Sequence, residues 1–175
     1  MTYHNGAEAL QAVEDWANGG TGTAARLADA NINPVTGLAT DYLNHFSEAI
    51  MLLEMLSSCS DCTEEFLAWR PLSYREHFSA SHFKDRQLAI EAYETADPAL
   101  RGWLDTITGT MTAALVTTGV ALRSNPPPEA AAALAESVST WLKSLVARAG
   151  AVINGENDML RAGTAQADVD VLMNR

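Results

Sequence analysis

The chain has 175 residues, 47% of them hydrophobic, which suits one packed domain and excludes a disordered chain. Its net charge of −11 repels phosphate backbones and anionic lipid, so neither a nucleic-acid nor a membrane partner is expected. An acidic surface suits a basic patch on a protein partner, or a cation; the plainer reading is that it keeps the protein in solution.

The opening residues, Met1-Thr2-Tyr3-His4-Asn5, show no basic region followed by an apolar run, so no signal peptide and a cytoplasmic location are expected. The densest apolar stretch, Ala49 to Leu56, is interrupted by Glu54 and is too short to span a bilayer. Period-3.6 patterning dominates, and no segment alternates as a strand does. A first helix is predicted over Ala7–Ala17, with Leu10, Val13 and Trp16 on related faces, ended by Gly19-Gly20-Thr21-Gly22. A short piece near Ala24–Ala30 precedes the turn signal Asn33-Pro34.

The next helix is predicted from Thr40 to about Ser57. Leu43, Phe46, Ile50, Leu53 and Leu56 repeat at threes and fours, and Tyr42, Ala49 and Leu52 widen the stripe. A loop through Ser58–Cys62 and a two-turn helix through Phe66–Trp69 follow, stopped by Pro71. Ser73-Tyr74-Arg75-Glu76 has the spacing of a capping box, and the helix it opens is predicted to run to Thr95. Asp97-Pro98 starts another helix, carrying Leu100, Trp103, Leu104, Ile107, Met111, Leu115 and Leu122. Ser124-Asn125-Pro126-Pro127-Pro128 breaks the chain. A last long helix, Glu129–Val152, presents Leu134, Val138, Trp141, Leu142, Leu145 and Val146. Short connections favour antiparallel neighbours. The expectation is an all-α protein: a four- to five-helix up-and-down bundle over residues 1–154, with 155–175 as a flexible approach and a C-terminal amphipathic tail.

Asp41, His45 and Glu48 fall on one stripe of their helix, and His82 and Asp85 lie three apart on a later one, which also carries His77. Imidazoles and carboxylates from facing helices can enclose a transition ion such as zinc, iron or manganese, so Asp41, His45, Glu48, His82 and Asp85 form a candidate metal set. Otherwise no cofactor is expected. The alternative is that they make interhelical hydrogen bonds and rim charges. His45 is also a candidate phosphoacceptor, although no proline or Lys-Gly follows it.

Cys59-Ser60-Asp61-Cys62 is a lone C-x-x-C without a second ligand pair for zinc. Two reduced, buried thiols are expected. No G-x-S-x-G motif and no phosphate-cradling glycine loop is present, and a non-enzymatic role is expected.

The segment Ala165-Gln166-Ala167-Asp168-Val169-Asp170-Val171-Leu172-Met173 resembles the peptide with which flagellar motor switch proteins, and the tail of the chemotaxis phosphatase, bind the chemotaxis response regulator. That pattern runs roughly Ser-Gln-x-(Asp/Glu)-Ile-Asp-x-Leu-Leu. Gln166, Asp168, Val169, Asp170 and Leu172 match it, with Val169 for isoleucine and Met173 for the second leucine. The resemblance covers nine residues and implies a receiver-type protein partner. Val169, Leu172 and Met173 would fill a groove and the two aspartates would meet basic residues on its rim. The phosphatase's catalytic acid–amide pair has no counterpart, so the resemblance implies no phosphatase activity. The leading expectation is an accessory signalling or adaptor protein presenting this tail. A metal-binding bundle is the first alternative and a structural helical dimer the second.

Overall fold

Seven helices carry the described residues. The computed structural model describes residues 22–56, 58–59 and 61–156, and every regular element among them is helical. A single isolated antiparallel bridge joins Ile32 and Ala39. The helices are α1 (22–29), α2 (Tyr42–Met55), α3 (Cys62–Ala68), α4 (Tyr74–Ala80), α5 (Arg86–Thr95), α6 (Pro98–Arg123) and α7 (Pro128–Asn154). The helix expected over Ala7–Ala17 lies outside the described residues, as does the tail. Among the described residues, no helix is long and apolar enough to cross a membrane.

α1 ends at Asn31, whose positive φ of 55° turns the chain so that Ile32 donates back to the Leu27 carbonyl. The loop that follows is built by its side chains. Asn33 Oδ1 accepts from the amides of Val35 and Thr36, and Gly37 (φ 70°) closes the turn against the Ala92 carbonyl. Ile32, Leu38 and Ala39 are thereby folded into the core. The Thr36 hydroxyl donates to the Ile153 carbonyl at 2.6 Å, fastening this loop to the last turn of α7.

The apolar period places α2 in the middle of the packing. It contacts α7, α3 and α4, and α6 contacts α7 and α3. Phe46, Ala49 and Leu53 of α2 meet Leu104, Met111 and Leu115 of α6 and Leu142 and Val152 of α7 in one cluster of buried side chains. Burying each large apolar side chain there stabilises the fold by about 2 kcal/mol. Ser124–Pro127 returns α7 along α6. Asp97 caps α6 by accepting from the Ala99 amide, and Gly155 in the left-handed conformation (φ 76°) closes α7.

The capping box of α4 forms as expected. The Ser73 hydroxyl accepts from the Glu76 amide while the Glu76 carboxylate accepts from the Ser73 amide. These bonds from Ser73 hold the Glu76 carboxyl below its usual range. The helix does not run to Thr95, however. It stops at Ala80, and Ser81–Asp85 bends the chain before α5. Ser81 is extended, its hydroxyl accepts from the Phe83 amide, and Phe83 folds back onto Phe78 with ring centroids 5.3 Å apart. Aromatic packing wins over helix continuation here.

Candidate functional site

Asp41 occupies the N-cap position of α2, where an aspartate ordinarily accepts from first-turn amides. It makes no such bond. One carboxylate oxygen accepts from the Asn44 side-chain amide at 3.0 Å, and the other faces His77 Nε2 of α4 at 3.2 Å. The His77 side chain is only 13% exposed. The Asp41 carboxylate thus bridges a side chain of its own helix and an imidazole on another.

His45, one helical turn beyond Asp41, is 8% exposed. Its ring stacks on Trp69 (4.7 Å, 24°) and lies 6.0 Å from the His77 ring. Trp69 follows α3 directly, and its indole donates to the His45 carbonyl at 3.2 Å. The Arg70 backbone accepts from the His45 ring, while His45 Nε2 is buried with no hydrogen-bond partner. Burial lowers the His45 pKa, the neighbouring His77 lowers it further, and the Arg70 contact opposes both. His45 is therefore held neutral, with a lone pair on Nε2 turned to the interior. A neutral imidazole in that state is a ligand or a base. It is not exposed on a helix surface, the placement a phosphoacceptor needs to reach a partner's aspartate.

Aromatic rings wall the cluster. Tyr42 packs edge-on to His77, Phe46 and Tyr74, and its hydroxyl donates to the Leu72 carbonyl. Burial pushes the Tyr42 pKa up to about 12 and raises that of Tyr74, so both phenols keep their protons. The Tyr74 hydroxyl accepts from the Ala39 amide, and its ring stacks on Tyr93 at 4.3 Å. Tyr93 donates to Asp105 at 2.6 Å; burial first, and this carboxylate second, raise its pKa.

Two members of the expected metal set, Asp41 and His45, are neighbours here, but the histidine brought to them is His77. Glu48 is exposed on α2, His82 is exposed in the bend after α4, and Asp85 sits at the N-terminus of α5. The break at Ser81 removes His82 and Asp85 from the helix that carries His77. Among the described residues, no group of three or more His, Cys, Asp or Glu side chains is placed to hold a metal ion. Sequence spacing put Asp41 and His45 on one stripe and left His77 out of the set, because the contact of His77 with Asp41 spans 36 residues and arises only when α4 packs on α2.

Cys59 and Cys62 are not the expected pair of thiols: they form a disulfide, with Cα atoms 5.4 Å apart, between the end of α2 and the first residue of α3. The proposed partner-binding residues Gln166, Asp168, Val169, Asp170, Leu172 and Met173 lie outside the described residues. No protein-family model matches this chain, and neither a curated protein nor a solved structure matches it.

Proposed function

We propose that this chain is a non-enzymatic adaptor: an up-and-down helical bundle that offers its C-terminal segment, Ala165–Met173, to a receiver-type partner. One observation supports the separation of platform and peptide. α7 is closed at Gly155 by a left-handed residue, Glu156 donates back to the Ala151 carbonyl, and Thr36 clasps the Ile153 carbonyl. The bundle's last helix is finished before the tail begins, so a partner can take the tail without unwinding α7. Deleting Thr164–Arg175 should leave the melting temperature unchanged and abolish binding to a phosphorylated receiver domain. Leu172→Asp should also abolish binding, because it puts a charge into an apolar groove. A deletion that lowers the melting temperature by several degrees, or that leaves binding intact, refutes the reading.

A second reading, a metal-binding bundle, rests on the buried, unpartnered Nε2 of His45 beside the His77–Asp41 pair. An ion held there must raise the melting temperature, since it binds only the folded state. Zinc, iron or manganese should then stabilise the protein, and His45→Phe should remove the effect. No thermal shift with any of the three ions rejects this second reading.

A further inference from the structure

Thr106 to Leu122 of α6 is a run of 17 residues without one charged side chain, in a chain that is 19% charged. The core explains only half of it. Leu104, Ile107, Met111, Leu115, Thr118 and Leu122 are buried. A second stripe, Trp103, Thr106, Thr110, Ala113, Thr117 and Val120, is exposed along its whole length, with Trp103 at 41% and Val120 at 62%. Its spacing alternates three and four, the seam of a helix that packs along another helix. Two of its three threonines add little polarity to it. Thr106 donates its hydroxyl to the Gly102 carbonyl at 2.7 Å and Thr110 to the Thr106 carbonyl at 2.9 Å. Both therefore turn methyl groups outward.

We infer that this seam is covered by the same seam of a second copy, the two α6 helices running antiparallel across a two-fold axis near Met111–Thr112. The stripe is self-complementary in that arrangement. Trp103 falls opposite Val120, Thr106 opposite Thr117, and Thr110 opposite Ala113, so a large end residue meets a smaller one and the slim centre lets the backbones approach. An isologous contact requires this match of a surface with its own reverse. Charge favours the same face: copies each carrying −11 repel wherever acidic side chains would meet, and this seam brings none together. The seam is about 25 Å long. It buries on the order of 500 Å² per copy, near the lower limit of specific interfaces. The inference stands independently of the adaptor reading.

Light scattering on the full chain from about 5 to about 200 µM tests it. The mass should rise from 18.7 kDa toward twice that value. Thr110→Glu and Ala113→Glu, which set like charges against each other at the axis, should stay monomeric with unchanged far-ultraviolet dichroism. The double variant Trp103→Cys, Val120→Cys should oxidise to a covalent dimer that neither single variant forms. A wild-type chain that is monomeric throughout the range overturns the inference. So does a dimer that Thr110→Glu leaves intact, a cysteine pair that does not cross-link, or dimerisation only after residues 1–21 are removed. That last result would assign the seam to the chain's own N-terminal segment.

Discussion

Replacing His45 by phenylalanine should stabilise the protein. A buried polar atom without a partner costs about 1–3 kcal/mol, and His45 Nε2 is such an atom. Phenylalanine keeps the ring's shape and its stack on Trp69 but removes that nitrogen. It also loses the bond to the Arg70 backbone, worth about 1 kcal/mol. The balance is a gain of about 1 kcal/mol, or a melting temperature higher by about 2–4 °C in a domain of this size. The gain should grow in acid. His45 is held neutral in the fold, with its pKa below the unfolded value near 6.5. Its contribution is therefore complete above that value and is lost as pH falls toward the folded pKa, because the unfolded chain takes up a proton that the fold resists. The slope cannot exceed about 1.4 kcal/mol per pH unit for one proton. Urea titrations of wild type and His45→Phe at pH 7.5 and 5.5 measure both effects. A variant that is less stable by 1 kcal/mol or more at pH 7.5, or a difference that does not widen at pH 5.5, refutes an unpartnered neutral nitrogen.

Gly37→Ala should destabilise the protein by more than 1 kcal/mol, because φ is 70° there and a Cβ would lie 2.9 Å from the Ala92 carbonyl oxygen; an unchanged urea midpoint would count against that geometry. Ser73→Ala should lower the melting temperature by a few degrees through loss of the α4 cap, and Ser73→Asp should restore most of it, as differential scanning fluorimetry can show.

The helical class and most boundaries were legible because apolar residues recur at threes and fours and local signals mark the ends. The Ser73–Glu76 box and the Asp97-Pro98 start are each decided by neighbours in sequence. The bend at Ser81–Asp85 was not legible. It contains no glycine or proline, and it depends on Phe83 finding Phe78. Nor could periodicity say which stripe of α6 faces the core. Trp103 was read only as one of the apolar residues this helix carries; it is exposed while Leu104 and Ile107 are buried, because an uncharged helix offers two eligible stripes and only the position of α7 and α3 chooses between them. Trp141 was likewise expected in the apolar stripe of α7 and is 48% exposed. Of the candidate site, the Asp41–His45 spacing was visible, while His77 and Trp69 enter through packing from distant segments.

α3 has seven residues, about half of what a helix needs to persist in water by itself. Its order is borrowed from two anchors. Cys62 ties its first residue to Cys59 at the end of α2. At its far end, Arg123 donates to the Leu67 carbonyl and the Trp69 indole to that of His45. The two anchors act in series on one short rod, so loosening the sulfur end loosens the cover over His45. The sulfur end of that rod is no surface feature: Cys62 is 2% exposed and belongs to the core. In a reducing compartment, the amides of α3 and the Trp69 indole proton belong to the part of the structure that opens first and exchanges fastest.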